Sequence, residues 1–268
     1  MTAFLNHLYN EFRTGIRNKQ MLFVHYLFPL AFYVMMGFVM VDINPTFRTS
    51  LVPAMAVLAV LFATLMGIPD PLVKAREDGI LRSYRINGVP TTSILAIPSL
   101  TATLHLLVVT LLIWLSAGVL FDAPLPVNGL AFIGTLLAIT FASAGMGTLI
   151  GVLAPSTTVT ILLAQAIFLP SMLLSGMMVP LSMFSGPIAA IARLLPASHA
   201  MNAFNALAMG YSSDFNPIGS LLMLLVSGLV SFLLAHVFYN WDRRNTRNQG
   251  HPLFALLPLL PFLMGLFI

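Results

Sequence analysis

Six stretches of this chain, at about 21 to 41, 51 to 69, 94 to 120, 129 to 153, 158 to 180 and 217 to 240, contain no Asp, Glu, Lys or Arg, and every such residue falls outside them. Each stretch is apolar and long enough for a helix to cross a hydrocarbon core of about 30 Å. With no water inside that core, the backbone must satisfy its own hydrogen bonds, which a helix does within one segment. The pattern therefore predicts an all-α polytopic membrane protein with six transmembrane helices. Composition agrees, since 7% of the 268 residues are charged and 59% are hydrophobic, against about 25% charged in a soluble domain. The six runs leave no length for a soluble domain, so 1–268 reads as one transmembrane domain. The first run begins near Met21 with no small-residue cleavage pattern after it, so a cleavable signal is not expected.

The charges outside the runs fix an expected orientation. With the N-terminus in the cytoplasm, Arg13, Arg17, Lys19, Lys74, Arg76, Arg82, Arg85, Arg243, Arg244 and Arg247 share the cytoplasmic side, and only Arg48 and Arg193 face outward. The net charge of +4 then reflects basic loops beside an anionic leaflet and not a nucleic-acid partner. Lacking cysteine, the chain has no disulfide, thiolate metal site or thiol nucleophile.

Four segments outside the runs carry further pattern. Over residues 1–20, Phe4, Leu5, Leu8, Tyr9, Phe12 and Ile16 recur at spacings of three and four opposite Asn6, His7, Asn10, Arg13 and Arg17, which predicts an amphipathic interface helix. In 70–93, Pro69, Asp70 and Pro71 read as a breaker, followed by a charged stretch expected to form a short surface helix. The outward connection 181–216 is semi-apolar yet interrupted by Gly186, Pro187, Pro196 and Gly210, which suits short helices dipping back into the outer leaflet. Residues 251–268 hold a further apolar run from Pro252, expected to form a seventh embedded helix ending on the outer side, kinked by Pro258 and Pro261. In the fourth run Gly145, Gly147 and Gly151 offer a small-residue face for close helix approach.

The chemistry that is missing narrows the function. Ion-coupled carriers keep ionisable residues inside the membrane, whereas the titratable groups within these runs are His25, His105, His236 and tyrosines. His25 and His236 sit near the cytoplasmic ends, within reach of water. His105 lies deeper, where a helix-to-helix hydrogen bond is the ordinary role of a histidine. Lys19 and Lys74 are followed by Gln20 and Ala75, so no phosphate-binding loop ending in Lys-Ser/Thr is present. A serine elbow and a helical pair of metal-binding histidines are also missing.

Three motifs in order then resemble the membrane subunits of type-2 ABC exporters: the interface helix before the first run; Glu77-Asp78-Gly79-Ile80-Leu81-Arg82 with Gly88-Val89-Pro90; and Ser175-Gly176 to Pro180, followed by Leu195-Pro196 and Ala200. Ile80 stands where that family usually has Thr. The resemblance implies a bacterial inner-membrane permease that is not itself an enzyme and binds no cofactor, with ATP and magnesium on separate cytoplasmic ABC ATPase subunits. It implies a second permease copy, identical or similar, and surrounding membrane lipid as partners. Coupling to the ATPase would fall to Glu77, Asp78, Gly79 and Arg82, and an outward gate to Ser175, Gly176, Pro180 and Pro196. A substrate path along the first, second and fifth runs would be lined by Tyr33, Met36 and Phe168. The Met-rich, apolar runs favour a hydrophobic or amphiphilic cargo such as a drug, lipid-like compound or peptide. The rival readings are an ion-coupled secondary transporter and a membrane scaffold that transports nothing.

Overall fold

The computed structural model describes residues 2–241 and 250–266, with side chains over 8–241 and 250–265. Arg243, Arg244 and Arg247, the basic stop after the sixth run, lie outside the described residues. The described chain is helical, with six helices long and apolar enough to cross a membrane.

Helix α1 (Thr2–Arg17) packs along the third span. Asn18 then restarts the helix by accepting the backbone N–H groups of Gln20 and Met21 on its side chain. The first span, Lys19–Ile43, is built from α2 (Lys19–Leu22), a π turn at Phe23–Leu27 and α3 (Phe28–Ile43). Pro29 explains the wide turn: it has no N–H for the carbonyl four residues back and its ring crowds that carbonyl, so the helix opens just before it.

In the second span, α4 (Arg48–Gly67) runs into α5 (Pro69–Glu77) with only Ile68 between them. The expected break at Pro69-Asp70-Pro71 appears as a bend at Ile68 and not as a loop. Proline in the first turn of a helix forfeits no hydrogen bond and arrives with a helical φ, so these residues start α5 instead of stopping the chain. Asp78 and Gly79 (φ 74°) then turn the chain into α6 (Ile80–Ile86). The segment expected to hold one surface helix thus holds two.

The remaining spans are α7 (Thr91–Phe121), α8 (Gly129–Leu153), α9 (Thr157–Leu174) and, after the outward connection, α12 (Pro217–Phe238). Asn128, Ser156 and Asn216 cap α8, α9 and α12 with their side-chain oxygens. Two short helices, α10 (Gly186–Arg193) and α11 (Pro196–Ala203), lie in the outward connection, and every residue of α11 is buried. His199 and Asn202 hold it in place: His199 Nε2–H donates to the Arg193 carbonyl at 2.8 Å, and Asn202 bonds the backbone of Asp214 and Phe215.

The second and fourth spans form the centre, with 89% of their apolar windows buried against 33–39% in the other four. The small-residue face of α8 makes this possible. A Cβ on Gly147 would stand 2.5 Å from the Thr64 carbonyl oxygen, one on Gly151 3.0 Å from Pro69 Cα, and one on Gly145 2.8 Å from Ser231. Glycine there lets α4, α5 and α12 approach α8 more closely than any side chain would allow.

The expected seventh helix is present in another form. Pro252–Leu266 is a 3-10 helix along α12, anchored where Ser227 Oγ donates to the Pro258 carbonyl at 2.7 Å. It begins beside the basic ends of α8 and α12, where Gly250 meets Leu153 and Phe238, and reaches the opposite end, where Gly265 meets His199. At about 2.0 Å per residue its 15 residues cover roughly 30 Å; an α-helix of that length would cover roughly 22 Å. The run therefore traverses the bundle despite its shortness.

Candidate functional site

At the basic end, the tip of the second span forms a limb. Leu72 and Val73 of α5 are buried against α8, while Glu77, Asp78 and Arg82 are exposed at the elbow with Gly79 between them. Arg76 clasps the end of α8, donating from Nη1 to the Val152 carbonyl at 2.7 Å and from Nη2 to the Ala154 carbonyl. Those carbonyls are the unsatisfied acceptors at a helix C-terminus, where a cation also meets the negative end of the helix dipole. Asp70, also buried, is bonded by Lys74 at 2.7 Å one turn on. The four residues read as the coupling element thus lie close together in sequence at the end of α5, the turn and the first turn of α6, and α5 continues into the core.

The side chains expected to line a substrate path are differently placed. Tyr33 and Met36 are buried between the first and third spans, where Tyr33 bonds Ser116 at 2.9 Å and stands edge-on to Phe121. Phe168 is buried too, but its ring meets Phe62 at 5.7 Å. Phe62 stacks on Phe28 at 3.8 Å and Phe28 on Phe32 at 5.7 Å, giving a ladder of four rings across the first, second and fifth spans. Between Leu51 and Asp70, only Phe62 and Met66 of the second span are not buried. Phe28, Phe32 and Phe62 were not singled out in the sequence, because a ring on an apolar helix carries no signal of which neighbour it meets.

At the opposite end, Gly176 and Pro180 line a cleft of about 210 Å³ together with Asn44, Ser50, Asn205 and Asp214. Gly176 takes φ 88°, which ends the fifth span six residues short of the expected boundary at 180. Ser175 is fully buried with its hydroxyl unpartnered, and Pro196 starts α11 inside the bundle; neither lines the cleft. The proposed gate residues therefore divide between an open wall and its buried support.

Of the three span histidines, His236 is exposed as expected and His25 is not. His25 is 4% exposed and lines a cavity that α1 also borders. Its ring lies 5.3 Å from that of His105, whose Nδ1 bonds the Tyr26 hydroxyl at 2.7 Å and whose face stacks on Phe12 at 4.4 Å. The helix-to-helix role expected of His105 is thus seen in its bond to Tyr26. No group of metal-binding side chains large enough to hold an ion is present among the described residues.

Four apolar spans around two central ones, with an exposed limb at one end and buried short helices at the other, make a multi-pass membrane protein. The model of the ABC-2 type transporter family matches residues 2–209, and the chain belongs to that family. The match runs from α1 through the π turn after α11; α12 and the 3-10 tail lie beyond it. No curated protein and no solved structure matches the chain.

Proposed function

We propose that this chain is the membrane-spanning subunit of an ATP-driven exporter, moving a hydrophobic or amphiphilic substrate (a drug, a lipid-like compound or a peptide) out of the cytoplasm by alternating access between two such subunits. The limb carries this reading: α5 leaves the most buried helix without a loop, is held to α8 by Arg76, and ends at the exposed Glu77–Asp78–Gly79 elbow. A push at that elbow reaches the centre of the bundle, because packed elements shift as units between discrete arrangements. A separate cytoplasmic ABC ATPase, holding ATP and magnesium, supplies the push, with Arg82 completing its grip. The N-terminus and the limb face the cytoplasm of a bacterial cell, as the clustering of Lys and Arg at that end supports.

The second copy, identical or similar, sits against the ladder of Phe28, Phe32, Phe62 and Phe168, where the otherwise buried second span comes to the surface. Membrane lipid covers the apolar outer faces of the third and sixth spans. Opening at the far end falls to the cleft walled by Gly176 and Pro180. The test is reconstitution with the cognate ATPase in sealed vesicles, comparing wild type with Glu77→Ala/Arg82→Ala. The double variant is expected to insert normally and allow ATP turnover while export falls about tenfold, the equivalent of roughly 1.4 kcal/mol of lost coupling. Undiminished export, or export that follows an imposed ion gradient without ATP, rejects the reading.

A further inference from the structure

A second site lies away from the ring ladder, beneath the interface helix. Here α1, the π turn of the first span, α5, α6 and α7 border a cavity of about 240 Å³, just below the roughly 300–1,000 Å³ of small-molecule sites. Most of its wall is aliphatic, including Leu72, Ile80, Leu81, Ile94 and Ile97. On the first and third spans, however, three polar atoms are buried without partners: His25 Nε2, His105 Nε2 and Thr101 Oγ1, on residues 4%, 3% and 6% exposed. An unpartnered buried polar group costs about 1–3 kcal/mol, and three of them border this one space.

Thr101 makes the point most sharply. Threonines in these helices ordinarily return their hydroxyl to the carbonyl four residues back, as Thr64, Thr103, Thr110, Thr140 and Thr148 do. Thr101 and Thr135 do not, and of these two Thr101 lines the cavity. The histidines complement it. His25 Nδ1 faces the Met21 carbonyl at 3.0 Å; a carbonyl only accepts, so Nδ1 carries the hydrogen and Nε2 offers a lone pair. The Tyr26 hydroxyl can donate to His105 Nδ1 or accept from it at 2.7 Å, so His105 Nε2 offers a hydrogen in one tautomer and a lone pair in the other. The cavity is thus bordered by two imidazoles and a hydroxyl, with Glu11 as its acidic side chain and neither Lys nor Arg in its lining.

We infer that this cavity binds a single-chain amphiphile with an uncharged head that both donates and accepts hydrogen bonds, an alcohol or a primary amide. The head would meet His25, Thr101 and His105, and the aliphatic body would lie against Leu72, Leu81 and Ile97. Water would satisfy the polar atoms but not the aliphatic wall, and an anionic head would find no cation there. The inference concerns ligand binding by the single chain and stands independently of the export reading.

The experiment uses the full chain in phosphatidylcholine nanodiscs, with a diazirine-bearing octanol as photoprobe and adduct mapping by mass spectrometry. Adducts are expected on residues 11–26 and 94–105. Thr101→Val, which keeps the shape, and His105→Phe, which keeps the stack on Phe12, should each cut adduct yield about fivefold, the loss of one hydrogen bond, with thermal unfolding monitored in parallel. Excess 1-octanol should compete, while octane, octyl phosphate, octylamine and dioctanoylglycerol should not. Adducts elsewhere only, yields indifferent to both substitutions in folded protein, or equal competition by octane overturn the site; competition by octyl phosphate, octylamine or dioctanoylglycerol overturns the uncharged single-chain head.

Discussion

At the scale of single residues, Gly147 and Arg76 hold the limb's root. A methyl group on Gly147 would meet backbone, 2.5 Å from the Thr64 oxygen, and no rotamer change relieves that. Gly147→Ala should lower stability by about 1–3 kcal/mol, read as a fall in the thermal unfolding midpoint in detergent. Gly134→Ala is the control, since nothing lies within 4 Å of its added carbon and the midpoint should hold or rise slightly. Arg76→Met keeps an apolar stem but removes both donors to the end of α8, and should cost about 2 kcal/mol in the same assay. The glycines were legible in sequence because a helical spacing of small residues has few other uses. Arg76 was legible only as a topology charge, since its partners lie 76 and 78 residues away.

At the scale of elements, α11 and the tail give different tests. Single cysteines placed from 180 to 203 in this cysteine-free chain should react with a membrane-impermeant thiol reagent near Met183 and Pro187, which are exposed, and fail to react from Pro196 to Ala203. Uniform labelling would make the whole stretch an aqueous loop. A cleavable tag fused after the last residue should be cut from outside intact cells, as a traversing tail requires; protection until lysis would reject the crossing. Span ends were readable because charges and prolines mark them. The π turn and the 3-10 geometry were not, because each follows from local proline sterics that hydropathy does not record. The sides on which Tyr33 and Met36 lie were equally hidden, since a helix apolar all round gives no moment to point inward.

At the scale of the whole molecule, two helices are walled in by four, and between Leu51 and Asp70 the wall opens over the second span only at Phe62 and Met66. If two copies meet there, Phe62→Cys chains should join through a short bismaleimide in native membranes, while Val119→Cys, on the 84% exposed residue of the third span, should not. The reverse result would move the seam to another face. The tail adds a property of its own to this assembly. Because each of its residues advances about 2.0 Å and turns the chain by a third of a circle, one inserted residue between Pro252 and Pro258 would displace the Pro258 carbonyl from Ser227 and carry Ala255 off its buried line. The loops of this protein can change length with little consequence, but this crossing acts as a calibrated strut: natural variants should substitute along it freely on the outer side and almost never add or drop a residue.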